Sequence, residues 1–83
     1  MSRAAPIPAH VIARRRQIGA RIRALRLARN LTQERVALTV GMDRATYVRI
    51  EQGQASPLLD TLILIADAIG VPLADLVRES GGG

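Results

Sequence analysis

The 83 residues suffice for one small domain and leave no room for a separate catalytic or effector-binding unit. A single aromatic residue, Tyr47, argues for a core of Leu, Ile, Val and Ala on packed helices over a β-sandwich, and the absence of cysteine excludes disulfides and thiolate metal sites. The net charge of +5 is carried on the positive side by arginine alone, which makes a polyanion the natural partner: nucleic acid first, an acidic membrane surface second.

Residues 1–8 contain Pro6 and Pro8 and read as an irregular arm. From about Ala9 to Arg29 only Gly19 disfavours a helix, and Val11, Ile18, Ile22 and Leu25 recur as one apolar stripe. Asn30 then marks a left-handed helix end. Thr32 is the expected N-cap of a short second helix, with Gln33 and Glu34 in its first turn and Gly41 at its end. Asp43 is the expected N-cap of a third helix, Arg44 to Gln52, stopped by Gly53. Ala55-Ser56-Pro57 is expected to begin the fourth helix, which carries Leu59, Leu62, Ile63, Ala66 and Ile69 and ends at Gly70. A short fifth helix follows over Val71 to Val77, with Pro72 near its start. No segment alternates like a strand, so the fold class is all-α. The domain is expected over residues 18–79, after an N-terminal arm and basic extension (1–17) and before a tail (80–83).

The second and third helices, joined by a tight turn, make a helix-turn-helix. Their crossing needs a small residue, supplied by Ala37, and their turn needs a residue at ease with positive φ, supplied by Gly41. Val36, Val40, Met42, Tyr47 and Ile50 form the apolar underside.

With these residues in place the chain resembles the Cro and lambda-type phage repressor (XRE) family of helix-turn-helix proteins. The resemblance rests on Ile18-Gly19…Ile22-Arg23…Leu25-Arg26, Leu31-Thr32-Gln33-Glu34, Tyr47-Val48-Arg49-Ile50-Glu51-Gln52-Gly53 and Thr61-Leu62…Ile65-Ala66-Asp67-Ala68-Ile69-Gly70-Val71-Pro72. It implies a compact five-helix domain that binds operator DNA, commonly as a homodimer. The third helix would lie in the major groove, with Asp43, Arg44, Ala45 and Arg49 toward the bases. Arginine can donate two hydrogen bonds to guanine, and Ala45 can pack on a thymine methyl. The alternative is that both arginines hold phosphates or only solvate the surface. Gln33, Thr46, Gln52 and Gln54 are candidate phosphate contacts, and Gln33 is expected also to brace the side chain at position 44. Arg26 and Glu51 are assigned by the resemblance to a partly buried ion pair between the first and third helices.

Charge is uneven along the chain. Residues 1–35 carry nine arginines against Glu34, residues 36–52 are neutral, and residues 53–83 carry Arg78 against four acids. Arg14, Arg15 and Arg16 either reach DNA or form a solvated helix end. His10 stands alone, so no metal site, cofactor or small-molecule ligand is expected. Leu58 to Ile69 is too interrupted and short to span a bilayer, and the arginine-rich start is unlike a signal peptide, which makes the cytoplasm the expected location.

Leu27, Leu58 and Leu64 stand where the family commonly has polar residues. A dimer interface through Leu58, Leu64, Val71 and Pro72 would cover some of them; alternatively Ile7, Val11 and Ile12 fold back over them within one chain. The rival function is a protein-interaction module with weak or lost DNA binding. No nucleophile-and-base arrangement points to an enzyme.

Overall fold

The computed structural model describes residues 5–79. Within them run five helices: α1 (Ala9–Ala28), α2 (Gln33–Val40), α3 (Arg44–Glu51), α4 (Leu59–Ile69) and α5 (Leu73–Val77). α1 packs on α3 and α5, α2 on α3 and α4, and α4 on α5. The wholly buried side chains are Ile22, Val36, Tyr47, Ile65 and Leu76, so every helix contributes to one shared core.

Local chemistry sets the helix ends. Asn30 takes a left-handed φ of 58° after α1. The Thr32 side chain accepts the Arg35 amide, and Asp43 Oδ2 accepts the Thr46 amide, each cap adding about 1 kcal/mol. Gly41 closes α2 at φ 87°, and Ala37, buried at the α2–α3 crossing, accepts the amides of both Gly41 and Met42.

Three observations refine the sequence reading. α4 starts at Leu59, later than Pro57 suggested, because Leu58 is in the extended region at φ −64°, ψ 155° and serves as N-cap. Pro72 likewise precedes α5 as its N-cap rather than lying within it. α1 is continuous from Ala9, so the boundary expected after residue 17 falls inside a helix. The tail at 80–83 lies outside the described residues, as do residues 1–4.

Gly19 is more than a tolerated residue. A Cβ built there would lie 2.5 Å from the carbonyl oxygens of both Ile50 and Glu51, so the backbones of α1 and α3 meet at this point. In an isolated helix, Gly19→Ala would add about 1 kcal/mol of stability. Here the clash with rigid backbone dominates, and the variant is expected to lose about 2–3 kcal/mol in urea unfolding. A stabilised variant would show that the helices do not approach so closely.

Candidate nucleic-acid interface

The underside of α3 is anchored by a buried polar cluster. Arg26 and Glu51 are each only 5% exposed. Arg26 Nε donates to Glu51 Oε2 at 2.6 Å and Nη2 donates to Oε1 at 3.1 Å, a two-pronged pair between α1 and α3. Arg26 Nη1 donates to the Leu31 carbonyl at 2.7 Å, tying in the segment before α2. Gln33 Nε2 donates to Glu51 Oε1 at 3.1 Å, and the Tyr47 hydroxyl donates to Oε2. Among the described residues no buried side-chain polar atom lacks a partner.

This arrangement fixes the charge states. Burial pushes the Glu51 carboxyl up, but hydrogen bonds from Arg26, Tyr47 and Gln33 outweigh it and hold the group below the ordinary carboxylate range. Burial and the neighbouring Glu51 push the Tyr47 phenol far above its usual range, so it remains a donor. The bond to Glu51 raises Arg26 further.

With one face anchored, α3 presents the other. Arg44, Ala45 and Arg49 are exposed, while Tyr47, Ile50 and Glu51 point inward. Arg44 and Gln33 share the wall of an open depression of about 430 Å³ between the starts of α2 and α3. Gln33 is half-buried and is itself held by its bond to Glu51. Thr32 occupies the Arg35 amide, which leaves the first-turn amides of Gln33 and Glu34 facing an outside acceptor.

Other candidates already carry structural tasks. Asp43 Oδ2 caps α3 and also accepts the Thr46 hydroxyl at 2.7 Å; these bonds hold the Asp43 carboxyl below its usual range. Asp43 therefore acts as the cap of α3, with the Thr46 hydroxyl proton directed to it. Gln52 and Gln54 are exposed at the far end of α3. Val48 is half-buried.

The basic run is engaged in the fold. Arg14 Nη2 donates to the Val77 carbonyl at 3.2 Å, and its Nε lies 3.5 Å from Glu79. Arg15 Nε donates to the Gly53 carbonyl at 2.9 Å, at the opposite end of α3 from Arg44. Farther along α1, Arg21 Nε donates to the Asp75 carbonyl at 2.7 Å. α1 thus uses arginines to bind carbonyls at the C-terminal ends of α3 and α5. Arg16 remains exposed, as does His10, and no group of three potential metal ligands occurs among the described residues.

The surplus leucines stay uncovered: Leu58 is 74% exposed, Leu64 48% and Leu27 46%. Ile7 and Val11 face Leu62 instead of folding over these three. Pro72 is exposed and Val71 half-buried.

Two features escaped the sequence reading. Tyr47 counted only as an apolar residue, although its four-residue spacing from Glu51 places both on one helix face. The arginine-to-carbonyl bonds had no signal, because a backbone acceptor leaves no mark in residue identity.

Residues 22–76 match the helix-turn-helix family model HTH_3. The chain is 45% identical over 60 residues to the transcriptional repressor RstR of the cryptic phage CTXphi in Vibrio cholerae, covering 72% of this chain and 54% of that protein. It is 36% identical over 62 residues to the immunity repressor protein of Bacillus phage phi105, covering 75% of this chain and 43% of the relative. The chain thus spans about half the length of these curated relatives. Among solved structures, the restriction-modification controller protein C.AhdI from Aeromonas hydrophila matches with a TM-score of 0.75 at 33% identity, over 77% of this chain and 97% of that one.

The buried cluster makes stability acid-sensitive. Because the folded chain depresses the Glu51 carboxyl, its stabilisation is full above the ordinary glutamate range and is lost as pH falls through the depressed value. Chemical unfolding against pH is expected to show this loss in the parent and not in Glu51→Gln. At neutral pH, Glu51→Ala strands Arg26 and is expected to cost about 3–5 kcal/mol. A loss below about 1 kcal/mol would contradict the buried pairing.

Proposed function

The chain belongs to the helix-turn-helix family matched over residues 22–76, and on that premise we propose that it binds double-stranded DNA sequence-specifically and regulates transcription. The observation that carries this reading is a contrast among the arginines. Arg14, Arg15, Arg21 and Arg26 are bound into the fold, whereas Arg44 and Arg49 stand exposed on α3, with Arg44 beside the start of α2; the exposed Arg16, Arg23 and Arg35 lie on α1 and α2 instead.

In this reading α3 enters the major groove. Arg44 and Arg49 donate to guanine O6 and N7, and Ala45 packs against a thymine methyl. Gln33 and the first amides of α2 grip a phosphate, with Gln33 held ready by Glu51. Asp43 holds the first turn of α3 in shape, and its carboxylate discourages approach to a phosphate. Gln52 and Gln54 are the more distant backbone contacts, and Thr46 acts through its bond to Asp43. Arg16 is the member of the basic run best placed to add electrostatic attraction, since Arg14 and Arg15 are engaged elsewhere.

The protein acts as a homodimer through the surface that carries Leu58, Leu64, Val71 and Pro72. Two α3 helices about 34–36 Å apart then read a pseudo-palindromic operator. The work is binding without catalysis, in the cytoplasm, and needs no cofactor or small-molecule ligand. No helix among the described residues is long and apolar enough to cross a membrane.

Fluorescence anisotropy with duplex DNA over a salt series tests the proposal. Log affinity is expected to fall linearly with log salt. Arg44→Ala and Arg49→Ala should each remove ~1–3 kcal/mol of discrimination between operator and random duplex, while the thermal midpoint stays unchanged. No duplex binding at low salt would refute the proposal and favour the interaction module.

A further inference from the structure

An unfilled apolar hollow lies away from α3's exposed face. Ile7, Val11, Ile18, Ile50, Pro57 and Leu62 enclose a half-open cavity of about 280 Å³ between the N-terminal half of α1 and the segment entering α4. Arg14 and Arg15 also line it, held there by their bonds to the Val77 and Gly53 carbonyls. Next to this hollow stands the most exposed large apolar side chain among the described residues, Leu58, which follows Pro57 directly. Leu59 is also 63% exposed, and Asp60 follows it in the first turn of α4.

An apolar knob, an apolar hole and opposite charges thus occupy neighbouring positions on one surface. Leu58 projects into solvent, so it does not fill the hole of its own chain. Two-fold symmetry satisfies both: when a knob and a hole flank the axis, each protomer inserts its knob into the other's hole. The same motion brings the acid that follows the knob toward the arginines that line the hole. We infer that the cavity is the receiving half of a homodimer contact, in which Leu58 of one copy enters the α1–α4 hollow of the other and Asp60 meets Arg14 and Arg15 across the interface.

The inference rests on the dimer reading and selects the Leu58 end of the surface named there. Leu64, two residues beyond Leu62, projects from a different side of α4, so the inference keeps Leu58 from the surface named above and drops Leu64 from it. The chemistry also favours a second copy over a different protein, since the chain itself provides both complementary parts. It assigns the N-terminal half of α1 and the segment just before it to assembly: Ile7 and Val11 form the socket, and the arginines steer the entering helix end.

Two single variants of the full chain test it by sedimentation equilibrium. Leu58→Ala removes the knob and keeps the hole, whereas Val11→Trp fills the hole and keeps the knob. Both positions are solvent-exposed, and thermal melts verify that each variant is folded. Each alone should raise the dimer Kd by about tenfold or more, as expected for a central interface residue. Mixed together, they should associate more tightly than either does alone, because one intact knob still meets one intact hole. A mixture no tighter than its components would overturn the inference. Dimers that persist unchanged in both variants would overturn it while sparing the dimer reading, and a parent chain that stays monomeric at millimolar concentration would remove both.

Discussion

The domain depends on one buried ion pair. Arg26 and Glu51 join α1 to α3, and the cluster around them reaches the Leu31 carbonyl, Gln33 and Tyr47. Two charges moved out of water gain little net stability on their own. Their value here is geometric. The guanidinium and carboxylate fit in one orientation, so the axes of α1 and α3 and the start of α2 are fixed together. Gly19 permits this, because the α3 backbone reaches α1 only where a side chain is missing.

From that anchor the rest of the functional surface follows. Tyr47, Ile50 and Glu51 occupy the inner face of α3, which turns Arg44, Ala45 and Arg49 outward. Glu51 also holds Gln33, so the candidate phosphate grip on α2 and the candidate base-reading face on α3 share one internal support. The Glu51 end of α3 is held a second time, just past its last residue, by Arg15 at the Gly53 carbonyl. α1 therefore secures the C-terminal end of the helix that the proposal places in the groove, and the arginines that do so are separate from the exposed Arg44 and Arg49.

Much of this organisation was legible in the residues because caps and turns are local. Thr32, Asp43, Asn30 and Gly41 each act on amides or dihedrals within a few positions, and each stands where its chemistry predicts. The start of α4 was less legible: Pro57 suits a first helical turn, yet it equally suits the extended stretch that precedes one. Gly19 carried no local sign of its importance, since the backbone that forbids a side chain there comes from α3. The basic run was ambiguous for a similar reason. Free arginines and arginines bound to carbonyls look alike until the chain folds. Leu58 was marked as out of place on a polar surface, but the hollow beside it is assembled from three separate segments.

The central claim is that the exposed arginines of α3 read bases and the anchored ones do not. Selection from a random duplex library, run in parallel with the parent chain and with Arg44→Ala, tests it most directly. The account predicts that the parent enriches symmetric half-sites with a guanine at a fixed position, and that Arg44→Ala loses preference at that position alone. Identical preferences for the two chains, or no enrichment by the parent, would contradict it.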